Sequence, residues 1–227
     1  MAIFAPRLED IPLEQLTGKK IGYYIGSFDP LHRGHQAVID HALKQLDYVI
    51  LYPVPGGDTY KNRADFSVRQ QMMEAVYKLD PRVILTRLTP AGIQERFKTL
   101  IGKVEIVGIV GSDNVNDQLN SPDKDKISAM FMRGTAIPAK HAGTTFGALM
   151  ALPATSFIVN LRNEDDLTHL HGMFGDRPIR DLVKFEPPVS HFSSTQVRAA
   201  VKQDQPIAEM VATPVQEVIQ EHKLYKS

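Results

Sequence analysis

The chain has 227 residues, 43% of them hydrophobic, and carries 26 lysines and arginines against 26 aspartates and glutamates. That balance supplies one sizeable core and excludes the basic surplus of a general nucleic-acid or membrane-surface binder, so no nucleic-acid or membrane partner is expected. The absence of cysteine excludes disulfide and thiolate chemistry and removes any reason to expect an oxidising compartment. With no apolar run near the roughly 18 residues that span a bilayer, a soluble, cytoplasmic protein is expected.

Elements alternate through the first half. After an arm over 1–19, Lys20 to Ile25 reads as a strand, and Tyr48 to Tyr52 and Val83 to Leu85 repeat its apolar, β-branched character. Two further strands are expected at Val104 to Val110 and Ser156 to Val159. Helical spacing lies between them at Gly34 to Leu46, Ser67 to Lys78 and Ile93 to Ile101. This order implies βαβ units: an α/β fold, a Rossmann-like doubly wound parallel sheet over 20–190. An irregular, glycine- and threonine-rich segment at 120–153 interrupts it. The last part, 191–227, predicts a small C-terminal helical subdomain, with Ser193-Ser194-Thr195 capping one helix and Pro206 and Pro214 starting others.

The most informative segment runs Ile25-Gly26-Ser27-Phe28-Asp29-Pro30-Leu31-His32-Arg33-Gly34-His35, from a predicted strand straight into a predicted helix. An open α/β sheet presents its ligand crevice at such a junction. Gly26 removes a side chain where backbone must approach a phosphate, and Gly34 allows close contact as the helix begins with unpaired N–H groups. Two imidazoles three residues apart, His32 and His35, are hydrogen-bond donors for phosphoryl oxygens if both face that crevice. Alone, such a pair is equally a surface feature of a loop-to-helix junction.

GSFDPxHxGH resembles the signature of the HxGH nucleotidylyltransferase superfamily. The resemblance implies that His32 and His35 contact a triphosphate, with His35 stabilising the transition state, and that Gly26, Ser27, Phe28 and Gly34 line the nucleotide site. His191-Phe192-Ser193-Ser194-Thr195-Gln196-Val197-Arg198 is similar to the second signature, SSTxxR. By that likeness Ser193, Ser194, Thr195 and the fork of Arg198 hold the outer phosphates; taken singly, the segment is an ordinary helix cap. Val110-Gly111-Ser112-Asp113 resembles the GxD element, which gives Gly111 and Asp113 a place near sugar or base, compatible with a simple tight turn. The loop Pro53 to Lys61 offers Lys61 as a phosphate ligand or as a solvated lysine. His169 and His171, two apart with no nearby cysteine or convincing carboxylate set, make a poor metal pair.

Within the superfamily, Ile207 to Tyr225 looks most like bacterial nicotinate or nicotinamide mononucleotide adenylyltransferases. That likeness implies ATP, used with Mg²⁺, and a phosphorylated small-molecule acceptor, with pyrophosphate released and no protein metal site expected. The chain departs from those enzymes in having no tryptophan for stacking a pyridine ring; Phe131, Phe146 and Phe174 are either substitutes or packing residues. A pantetheine-phosphate adenylyltransferase, a cytidylyltransferase acting on a small alcohol phosphate, and a non-catalytic nucleotide-binding module remain alternatives. A homo-oligomer is compatible with the sequence.

Overall fold

The computed structural model describes residues 7–53, 63–88, 90–100, 102–112, 156–161, 183–186 and 191–226. Six parallel strands form one sheet: β1 (Lys20–Gly26), β2 (Tyr48–Pro53), β3 (Val83–Leu85), β4 (Glu105–Gly111), β5 (Ser156–Asn160) and β6 (Val183–Glu186), in the order β3-β2-β1-β4-β5-β6. The five strands expected from apolar runs are all present; β6 was not foreseen. The irregular segment 120–153 lies outside the described residues.

Alternation along β1 explains why its sequence is apolar throughout. Ile21, Tyr23 and Ile25 enter one core cluster, while Tyr24 enters the other, on the opposite face of the sheet. The first cluster is closed by Ile93 and Phe97 of α4 (Pro90–Phe97), and by Leu8 and by Leu16 of α1 (Leu13–Leu16), so the N-terminal arm contributes to the core. The second is closed by α2 (Arg33–Ala42), α3 (Phe66–Tyr77) and two C-terminal helices, α5 (Ser194–Lys202) and α6 (Thr213–Glu221). In α5 and α6 the buried residues are Val197, Ala200 and Val201, then Val215, Val218 and Ile219. Both sets recur at i, i+3 and i+4, the narrow stripe that one helix face presents to a core.

Pro214 lies in the first turn of α6, as expected, because its fixed φ suits a helix start. Pro206 does not begin a helix: it precedes a turn at 208–210. Ile207 and Val211 are buried around that turn, and a compact turn meets the core without the longer amphipathic repeat that a helix requires. Among the described residues no helix is long and apolar enough to cross a membrane.

The order of strands fixes where a ligand fits. From β1 the chain proceeds outward to β2 and β3, then returns to the other side for β4, β5 and β6. The strand order therefore reverses between β1 and β4, and the carboxyl ends of those neighbours, at Gly26 and Gly111, flank a crevice.

Candidate active site

Helix α2 opens with a capping box made of two histidines. His32 occupies the N-cap in extended conformation, and its Nδ1 accepts from Gly34 N at 3.1 Å; His35 Nδ1 accepts from His32 N at 3.3 Å. In a neutral imidazole the accepting nitrogen is the unprotonated one, so both protons reside on Nε2. The rings stack, with centroids 3.7 Å apart and planes at 29°. Helix capping thus sets the tautomer and orientation of both candidate donors. His35 also meets the edges of Tyr24 and Phe28 at 6.2 and 5.0 Å.

The turn before the helix has its own construction. Phe28 has φ 47° and is fully buried, its ring against Tyr24 at 5.3 Å. A left-handed, non-glycine residue costs of order 1–3 kcal/mol and persists where surroundings over-determine it. A Cβ at Gly26 would stand 3.0 Å from Phe28 Cζ, so the missing side chain at Gly26 makes room for the Phe28 ring. At Gly34 a Cβ would fall 2.8 Å from His32 Nδ1 and Cε1 and 3.1 Å from the carbonyl oxygen of Phe192. Gly34 is therefore what allows the His32 ring and the segment before α5 to meet at one helix start.

The second signature comes to the same place. Ser194 Oγ donates to the carbonyl oxygen of Pro30 at 3.1 Å, and Arg198 Nη1 donates to the carbonyl oxygen of Asp29 at 2.7 Å. Arg198 Nη2 donates to Thr195 Oγ1 at 3.1 Å, which leaves donors of the fork for a ligand, and its side chain is 31% exposed. Ser193 is occupied in a second capping box: its Oγ accepts from Gln196 N at 3.3 Å and Gln196 Oε1 accepts from Ser193 N at 2.8 Å. The N-termini of α2 and α5 thus converge on the Asp29-Pro30 turn, and their dipoles favour an anion there.

Three residues outside the expected set hold this arrangement. Asp29 is 2% exposed; its Oδ1 accepts from Ala64 N at 3.1 Å and from the Tyr225 hydroxyl at 2.7 Å. Arg69 is 1% exposed, donates from Nη1 to the carbonyl oxygen of Ser27 at 2.6 Å and from Nε to that of Ala64 at 3.0 Å, and stacks over Phe66 at 5.7 Å. Burial holds the Arg69 guanidinium below its ordinary value, opposed by the charge of Asp29. Burial raises the Tyr225 phenol well above its ordinary value, and the charge of Asp29 and the hydrogen bond to it add to the rise. The sequence carried one signal for Arg69: in α3 it shares a face with the buried Met72, Met73 and Tyr77, at i+3, i+4 and i+8. A cation on an apolar stripe marks a buried partner.

Gly111 ends β4 beside Asn160 of β5, and Ser112 next to it is fully buried. Asp113, Lys61, Phe131, Phe146, Phe174, His169 and His171 lie outside the described residues.

Comparison with known proteins identifies the family. The profile of the cytidylyltransferase-like family matches residues 23–200. The chain belongs to that family. It is 25% identical over 206 residues to a Fusobacterium nucleatum protein named "Probable nicotinate-nucleotide adenylyltransferase", covering 88% of this chain and 97% of that one. A Bacillus pumilus protein of the same name is 27% identical over 221 residues, covering 92% and 100%. The fold is shared with Plasmodium falciparum nicotinic acid mononucleotide adenylyltransferase complexed with NaAD, at a TM-score of 0.60 and 16% identity, covering 91% of this chain and 97% of that one.

Proposed function

We propose that the protein transfers the adenylyl group of ATP to nicotinate or nicotinamide mononucleotide, forming a dinucleotide of NAD biosynthesis and releasing pyrophosphate. The observation that carries this reading is the stacked His32–His35 pair, each Nδ1 engaged by a backbone N–H and each Nε2 therefore protonated. It stands at the carboxyl end of β1, in a chain similar along nearly its whole length to proteins named nicotinate-nucleotide adenylyltransferases.

On this reading an oxygen of the acceptor phosphate attacks the α-phosphorus of ATP and forms a new P–O bond. The bond from that phosphorus to the α,β-bridging oxygen breaks, and its electron pair leaves with pyrophosphate. Charge collects on oxygens around phosphorus, so the chemistry calls for positioned donors and needs no protein nucleophile. The Nε2–H groups of His32 and His35 donate to those oxygens, and Arg198 with Ser194 and Thr195 holds the outer phosphates. Mg²⁺ enters as part of the MgATP substrate, since this cation is commonly bound through substrate phosphates.

The test is product formation followed by mass spectrometry. Protein, MgATP and nicotinate mononucleotide, nicotinamide mononucleotide or phosphopantetheine are incubated in parallel. A pyridine dinucleotide is expected; dephospho-coenzyme A would move the assignment to the pantetheine acceptor, and silence with every acceptor would reject adenylyl transfer to these acceptors.

A further inference from the structure

Alongside α5 lies a cavity of about 500 Å³ whose described lining includes Arg63, Arg198, Lys202 and Lys223 and contains no carboxylate. Thr195, Arg198 and Lys202 line it from one face of α5, at i, i+3 and i+7. Arg198 stands at the candidate phosphate clamp, and Lys202 is four residues further, about 6 Å along the helix. The opposite wall is the turn after α6. There Lys223 and Tyr225 both adopt left-handed backbone, φ 48° and 62°, and the turn is fixed by the Tyr225 hydroxyl on Asp29 and by Leu224 N donating to the carbonyl oxygen of Ile219 at 3.0 Å.

Lys202 and Lys223 are exposed, and their side chains have no ion-pair or hydrogen-bond partner among the described residues. The acid near the end of α5, Asp204, is paired with Lys226 at 3.6 Å. Like charges gathered round one concavity repel unless an anion joins them, and together they raise the local concentration of anions. Arg198, Lys202 and Lys223 together carry more charge than the roughly −2 of a single phosphate group near pH 7 balances.

We propose that this cavity is a binding site for a linear inorganic polyphosphate of three or more linked phosphates, with one end on Arg198 and the other between Lys202 and Lys223. Because Arg198 is shared, such an anion competes with ATP; that consequence rests on the proposed function, whereas the binding itself does not.

Calorimetric titration of the full chain with inorganic tripolyphosphate reads the binding without any turnover. Wild type is expected to bind it more tightly than orthophosphate. K202A/K223A is expected to bind it roughly tenfold more weakly, with the rate of adenylyl transfer unchanged, and K202R/K223R to keep wild-type affinity. Equal affinity in wild type and K202A/K223A, or no binding to wild type, overturns the proposal. Lysine-dependent binding by a chain that forms no dinucleotide supports the pocket and refutes the proposed reaction instead.

Discussion

Tyr225 donates its hydroxyl to Oδ1 of Asp29 at 2.7 Å, joining the turn after α6 to the signature turn across 196 positions of sequence. Asp29 in turn presents its carbonyl oxygen to Arg198, so the C-terminal turn helps to hold the candidate phosphate clamp. Tyr225→Phe keeps the ring and removes the bond. We expect a loss of about 1–2 kcal/mol in urea unfolding and a KM for ATP raised several-fold, with kcat changed less. An unchanged KM would show that the bond serves stability alone.

Gly34→Ala tests the close approach that positions His32. A helical Gly→Ala change ordinarily stabilises by up to about 1 kcal/mol, but here the new Cβ would stand 2.8 Å from the His32 ring. We expect net destabilisation of roughly 1–3 kcal/mol and a greater proportional loss of turnover, read by thermal melting and steady-state kinetics on the same preparation.

Arg69→Met removes two donors and a buried charge while nearly preserving length. The carbonyl oxygens of Ser27 and Ala64 lose their partner and Asp29 loses a compensating charge. A loss of about 3 kcal/mol in denaturant unfolding is expected; a variant as stable as wild type would remove Arg69 from the support of the signature turn.

Acid sensitivity has a local source at Asp47. A hydrogen bond from Lys20 N at 2.8 Å holds this carboxyl below its ordinary range against the opposing effect of burial, aided by Lys19 Nζ at 3.2 Å. A depressed folded value adds stability that is present above the unfolded value of about 3.9 and lost as pH falls through the folded value. The stability difference between wild type and Asp47→Asn is therefore expected to be largest near neutrality and to shrink below about pH 4, as measured by urea unfolding at both pH values.

These contacts show which parts of the molecule local sequence can announce. The strands β1 to β5 are legible because burial on both sheet faces demands apolar runs such as Ile21 to Ile25 or Val83 to Leu85, whereas β6, Val-Lys-Phe-Glu, has a charged residue at every second position and shows no such run. His32, His35, Ser194 and Arg198 are legible because the two short motifs that hold them resemble the superfamily's signatures. Asp29, Arg69 and Tyr225 take their roles from partners 35 to 196 positions away, which no local pattern encodes. The contact between Gly26 and the Phe28 ring depends on a left-handed turn at Phe28, which no local pattern announces.

The most direct test of the central claim is the rate of dinucleotide formation from MgATP and nicotinate mononucleotide by wild type and His35→Ala, with circular dichroism to confirm that the variant folds. The account predicts turnover by wild type and a decrease of about 10²–10³-fold in the variant, the loss typical of one donor to developing oxyanion charge. Full turnover by a folded His35→Ala protein would contradict it.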